Sequence, residues 1–199
     1  MKKLCLIPVL MLCCIMSFSQ EKYGISVGAG YTLMPVKESF GGLSESRNFN
    51  GFHVGADYTF SSLLGPVSLT PGVWYFFGTD KENGVSETFQ DIQIPVDFSW
   101  GVEAGPLYVF IYAGPSFSLN VAWEESVAGI STSFYSTTSG KDFNRFDIKL
   151  GGGAGLVFND FLRLKIGYRA GVLNGCGGDM AKYCTIRRGQ FAVGLAYSF

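Results

Sequence analysis

The last nine residues, Phe191 to Phe199, alternate without a break. The odd positions Phe191, Val193, Leu195, Tyr197 and Phe199 are large and apolar, and the even positions Ala192, Gly194, Ala196 and Ser198 are small. A period of two sends successive side chains to opposite faces of a strand, so one face here is wholly bulky and apolar. A soluble sandwich could turn such a face to its core, and a barrel could turn it to lipid. The rest of the chain has to decide between them.

The first twenty residues read as an address. Lys2 and Lys3 make a basic start, Leu4 to Met16 an apolar run, and Ser17-Phe18-Ser19 a small-x-small cleavage site, so residues 1–20 are expected to be a cleaved signal peptide and 21–199 one domain. The apolar run is short of the roughly 20 residues a spanning helix needs. Leu12, before Cys13, is too bulky for a lipidation site. Cleavage would remove Cys5, Cys13 and Cys14 and leave Cys176 and Cys184. Without Lys2 and Lys3, the 15 basic residues fall to 13 against 16 acidic, a net charge of −3 that argues against nucleic acid as a partner. Only 16% of the chain is charged, well under the roughly 25% of ordinary soluble proteins.

The mature chain resolves into eight alternating segments. The first runs from about Tyr23 to Leu33, the second from Phe52 to Phe60, and the third carries Val67, Leu69, Val73, Tyr75 and Phe77 outward. The fourth sets Ile92, Ile94, Val96, Phe98 and Trp100 against Gln93, Asp97 and Ser99. Ala104 to Trp123 has no charge and could be misread as a membrane helix, but Gly105, Pro106, Gly114 and Pro115 break helices, and its two aromatic and β-branched runs read as the fifth strand. The sixth is Phe146 to Phe158, the seventh alternates Leu162, Leu164, Ile166, Tyr168, Ala170 and Val172 with Arg163, Lys165 and Arg169, and the eighth is the C-terminal strand. Pro71, Pro95 and Pro115 fall inside strands, where a missing N–H predicts bulges or locally broken pairing.

Connections alternate long and short. Met34 to Gly51, Gly78 to Asp91, Ala122 to Arg145 and Asn174 to Gln190 read as long polar loops; Ser61 to Pro66, Glu103 to Pro106 and Asn159-Asp160 read as short turns. The outward faces carry essentially no charge, and a Lys or Arg at the bilayer midplane would cost roughly 2–4 kcal/mol. Aromatics gather at both strand ends: Tyr23, Tyr58, Phe60, Phe98, Trp100, Phe158, Tyr197 and Phe199 at one, Tyr31, Phe52, Tyr75, Phe77, Phe117, Phe146 and Phe191 at the other. These would be two interfacial belts. The fold class expected is all-β, an eight-stranded antiparallel up-and-down transmembrane β-barrel.

Two resemblances sharpen this. The Phe191, Val193, Leu195, Tyr197, Phe199 pattern resembles the C-terminal insertion signal of bacterial outer-membrane barrels. Asp91-Ile92-Gln93-Ile94-Pro95-Val96, Ala113-Gly114-Pro115, the glycine run within Asp147 to Gly155, and Lys165 to Gly171 resemble, in order, the PorT-type outer-membrane β-barrel family, with an OmpX-like size. That resemblance implies an eight-stranded barrel and, from the family's namesake, a role in secretion across the outer membrane. It implies no catalytic residue.

Inward positions hold Asp57, Asp97, Asp147, Lys149, Arg163, Lys165 and Arg169. They could line an ion path, but an eight-stranded barrel is just wide enough for its own side chains, and buried charges must pair, so a packed luminal network is expected. His53 is the sole histidine. It faces inward with Asp57 but with no well-placed serine, so it reads as a luminal residue rather than a base for a nucleophile. No ligand spacing suggests a metal, and Gly28-Ala29-Gly30 and Gly151 to Gly155 lack the Lys-Ser/Thr of a phosphate loop. They read as small positions beneath long luminal side chains. Cys176 and Cys184 are expected to form a disulfide in the last external loop, the alternative being two free thiols.

The expectation is therefore a monomeric barrel of the outer membrane, not an enzyme, without cofactor, embedded in outer-membrane lipid and delivered by the barrel-insertion machinery. It would act through its external loops, Met34 to Phe49 and Ala122 to Lys141, as a secretion accessory or surface-interaction component. The alternatives are a small-solute channel and, lower, a lipid-modifying barrel enzyme depending on His53.

Overall fold

The computed structural model describes residues 24–64, 67–82, 84–127, 130–135 and 143–199, with side chains omitted at 61–64. The expected signal peptide, Tyr23 and part of the Ala122 to Lys141 loop lie outside the described residues.

The described chain is a single antiparallel sheet: β1 (Ile25–Phe40), β2 (Leu43–Tyr58), β3 (Phe60–Leu64), β4 (Val67–Glu82), β5 (Val85–Ala104), β6 (Leu107–Val127), β7 (Ile130–Ser133), β8 (Phe146–Phe158), β9 (Leu162–Gly171) and β10 (Cys184–Ser198). Each long strand pairs with the next long strand in sequence, β2 pairs β4, and β1 pairs β10, so the pairings return to their start. The expected count of eight is an undercount for this sheet. Eight strands are long, and two short ones are added: β3, which runs from Phe60, the last residue of the expected second strand, into the expected Ser61 to Pro66 link, and β7 within the expected Ala122 to Arg145 loop.

Facing is as the alternation demands. Val27, Val54, Val73, Ile94, Ile111, Leu150, Ile166 and Leu195 are exposed on the outside, while Asp57, Gln93, Asp97, Asp147, Lys149 and Arg163 are buried inside. The polar side chains are the interior and the apolar ones the exterior, the reverse of a water-soluble sandwich. Gly28 and Gly30 open room at the wall: a Cβ on Gly30 would lie 2.7 Å from His53 Cε1, and one on Gly194, next across the sheet, 2.7 Å from His53 Nε2.

The loops differ most from expectation. The strands run on through much of Met34 to Gly51, and β1 and β2 meet in the two-residue turn Gly41-Gly42, both at positive φ, as a tight right-twisting hairpin needs. β4 and β5 continue to Glu82 and from Val85, and β6 to Val127. The physical reason is a switch of faces. Beyond the apolar belt the inward positions turn apolar (Met34, Val36, Phe49, Phe89, Trp123, Ile186), and the outward ones turn polar (Lys37, Asn48, Asn50, Arg187). Where water lies outside, an apolar side is buried by turning inward, and where lipid lies outside, by turning outward. At the opposite end Asn159 and Asp160 take positive φ in the expected tight turn.

At the prolines the ladders lapse without slipping. β4–β5 pairing is interrupted between Pro71↔Val96 and Trp74↔Gln93, and β5–β6 between Pro95↔Ser116 and Phe98↔Ala113, while the register on either side is the same. The β5–β6 register shift lies elsewhere, between Gln90 and Asp91. It lets both Asn120 and Trp123 reach the interior.

Candidate functional site

The interior is layered. Midway, the Asp91 carboxylate accepts hydrogen bonds from Ser118 Oγ (2.7 and 2.6 Å), Gln93 Nε2 (2.7 Å) and Lys149 Nζ (2.7 Å). Lys149 Nζ also donates to Gln190 Oε1 at 3.1 Å, as does Gln93 Nε2. Four strands, β5, β6, β8 and β10, are thereby tied together by one group of side chains, with Asp91 and Lys149 at 0% and 1% exposure.

Next to it, Asp97 accepts from Lys165 Nζ (3.2 Å) and from Arg169, and Lys165 Nζ lies 4.5 Å from the centre of the Tyr112 ring. Toward the Asn159 turn, Arg163 Nη1 donates to Asp57 (2.8 Å) and Nη2 to Thr59 Oγ1 (3.1 Å). Asp147 makes no ion pair among the described residues; it accepts from the Leu173 N–H at 3.1 Å. Three acids and four bases were apparent from the alternation. The missing acid is Asp91, whose signal is its spacing of two from Gln93; it stands one residue before Ile92, where the outward apolar alternation of the expected fourth strand begins.

Above this layer sits an apolar plug that sequence reasoning did not foresee. Met34, Val36, Phe49, Phe76, Phe89, Trp123 and Ile186 pack with Cys176 and Cys184. Arg188, on β10, stands 5.7 Å from both the Phe89 and Trp123 ring centres and donates to the Asn144 carbonyl at 3.1 Å. Glu87 is held by Arg47 and accepts from Trp123 Nε1 at 3.3 Å.

Cys176 and Cys184 are bonded, with Cα atoms 6.0 Å apart and a separation of 8 in sequence. The bridge is buried against the plug rather than stiffening an exposed tip, because Cys184 opens β10 and both sulfurs face inward. Closing so short a loop restricts the unfolded chain by about 2–3 kcal/mol. A Cys176→Ser/Cys184→Ser chain is therefore expected to lose about 2–3 kcal/mol of stability and to unfold at lower urea concentration, with the barrel retained; an unchanged midpoint would contradict it.

His53 is buried between Trp74 and Phe76, its ring 5.4 and 5.2 Å from theirs. It lines a cavity of about 50 Å³ shared with Asp97, Lys165 and Arg169, enough for a few waters. No group of three or more His, Cys, Asp or Glu among the described residues is placed to hold a metal ion. At the rim above the plug lies a larger cavity of about 250 Å³, lined by Glu45, Arg47, Asp80, Glu82, Val85, Glu87 and Glu125.

The outer membrane protein beta-barrel domain family matches residues 5–199, nearly the whole chain. The chain belongs to this family. Its outward apolar wall and polar interior are what an outer-membrane location requires. Among curated proteins, none matches the sequence. Two solved structures share its fold, and a third is similar at a lower score. The neisserial surface protein NspA is 14% identical, with 88% of this chain and 97% of that one covered at a TM-score of 0.50. The outer membrane enzyme PagL is 9% identical, with 84% and 99% covered at 0.52. The attachment invasion locus protein Ail of Yersinia pestis is 17% identical, with 89% and 99% covered at 0.49. At such identities the likeness is one of fold, and this barrel's own chemistry has to be read from its own residues.

Proposed function

We propose that the eight long strands form a closed barrel spanning the outer membrane, that residues 1–20 are removed on export, and that the mature monomer acts through the rim at its Gly41-Gly42 end. The working part is a non-conducting, non-enzymatic surface: an interaction component, or an accessory to secretion as the PorT resemblance implies. Lipid surrounds the apolar wall, and the insertion machinery reads the Phe191, Val193, Leu195, Tyr197, Phe199 strand.

The observation that carries this reading is the filled lumen. Ion pairs tie the strands together in the middle and the Met34, Phe49, Phe89 and Trp123 plug lies above them. What such a barrel can offer a partner lies on its rim, where the strands outrun the apolar belt. His53, clamped between two aromatic rings, is a structural residue in this account.

Purified barrel in a planar bilayer is expected to give no steady conductance in concentrated potassium chloride. A stable unit conductance would make it a small-solute channel instead. Affinity purification of the tagged, crosslinked barrel from its native membrane separates the two surface roles. Secretion subunits at near-stoichiometric yield would mark an accessory, and a lone heat-modifiable monomer a free-standing surface barrel.

A further inference from the structure

Among the described residues the wall is incomplete at the rim. β2–β4 pairing runs from Asp57↔Gly72 up to Asn50↔Thr79 and stops there, although β2 continues to Leu43 and β4 to Glu82. The identity of the free groups follows from the turn. In a two-residue hairpin the flanking residues, here Phe40 and Leu43, are a hydrogen-bonded pair, and such pairs recur at every second position. The odd residues of upper β2 therefore bond to β1. The even ones, Ser44, Ser46 and Asn48, direct their N–H and C=O groups to the open side. Asn50 Nδ2 donates to the Asn48 carbonyl at 3.2 Å, which covers one of these groups locally. Among the described residues nothing else pairs with this edge. An unpaired edge is a template for another strand.

Charge defines what would fit. The side chains facing inward along this gap form the rim cavity of about 250 Å³, with five carboxylates and one guanidinium. Arg47 is engaged by Glu45 (3.4 Å) and by Glu87. Asp80, Glu82 and Glu125 have no basic partner among the described residues. A chain lying along β2 would turn every second side chain into this acidic cavity and the others outward beside Ser44, Ser46 and Asn48.

We propose that the open edge of β2 from Leu43 to Phe49 is a docking site for an extended, basic polypeptide segment, which adds as a strand between β2 and β4 with alternate Lys or Arg side chains in the acidic cavity. The backbone edge supplies the site, and the carboxylates select the occupant. This strand-addition mode takes affinity from main-chain bonds and specificity from alternate side chains. It rests on the reading of the rim as the outward, working end.

The test uses purified full-length mature barrel in lipid nanodiscs and a synthetic octapeptide of alternating Lys and Thr, followed by calorimetry. The peptide is expected to bind, more weakly as salt rises, and a Glu/Thr octapeptide is not. Ser46→Pro removes a free donor without touching the β1 ladder and should weaken binding roughly tenfold, as the loss of one or two hydrogen bonds implies. Asp80→Lys with Glu82→Lys should abolish it. Should Ser46→Pro fail to give a heat-modifiable barrel, the same Lys/Thr peptide N-methylated at alternate residues along its pairing edge makes the same test on the unaltered protein. No binding, or binding indifferent to both backbone changes, would overturn the proposal, as would a dimer that forms without peptide and is broken by Ser46→Pro. Fluorescent peptide on intact cells separates the two readings: binding in nanodiscs but only to permeabilised cells would overturn the outward rim and leave the docking edge standing.

Discussion

Asp91→Ala is expected to destabilise the barrel by about 3–5 kcal/mol, the cost of leaving one partner of a buried ion pair uncompensated. Lys149, at 1% exposure, would keep only Gln190 Oε1 within hydrogen-bond reach, and Ser118 and Gln93 would lose the same acceptor. Urea unfolding of the refolded protein in phospholipid vesicles reads the effect directly. The double variant Asp91→Ala/Lys149→Met is expected to recover much of the loss, because a buried pair can often be replaced by apolar groups at little cost. Equal losses in the single and double variants would show that the pair is not the unit that matters. A single-variant loss below about 1 kcal/mol would mean that water reaches Lys149 and the lumen is not packed.

Ile94→Arg is the second large effect. Ile94 is 47% exposed on the outside of β5, between Phe98 on one side and the polar Gln90 on the other. If that face meets lipid, an arginine there costs roughly 2–4 kcal/mol, and the same change at Thr88, beyond the belt, roughly 0–1 kcal/mol. The contrast matters more than either value. Equal and small effects at both positions would mean that the outward face of β5 does not lie in hydrocarbon.

The parts of the structure legible in the sequence were those where one rule held over a long stretch. Outward Ile92, Ile94, Val96, Phe98 and Trp100 against inward Gln93, Asp97 and Ser99 placed β5's lower half, and Leu162 to Val172 placed β9, because lipid on one side and packed polar groups on the other enforce a period of two. The rim was misread for the opposite reason. From Met34 to Phe49 the alternation continues, but its apolar side moves from outward positions, odd on β1 and even on β2, to Met34, Val36 and Phe49 inside. A pattern followed only on its lipid-facing side ends at that switch, so a hairpin was taken for a loop. The same truncation hid Asp91, and with it the acid that balances Lys149. Trp123 was missed for a different reason: the register shift at Gln90 and Asp91 reverses the facing of the upper strand, and no single-strand periodicity reveals it. Cys176 and Cys184 were legible as a pair because they are the two cysteines outside the first twenty residues and can bond in one way only, if they bond at all. Their burial was not, since it depends on the plug.

The central claim is that the Gly41-Gly42 end faces outward while the Asn159-Asp160 end faces the cell. Single cysteines at Ser44 and at Asp160 test it, since the native pair Cys176–Cys184 is already bonded. On intact cells a membrane-impermeant maleimide is expected to label Ser44→Cys fully and Asp160→Cys only after the outer membrane is permeabilised. Labelling of both on intact cells, or of Asp160→Cys alone, would contradict the account.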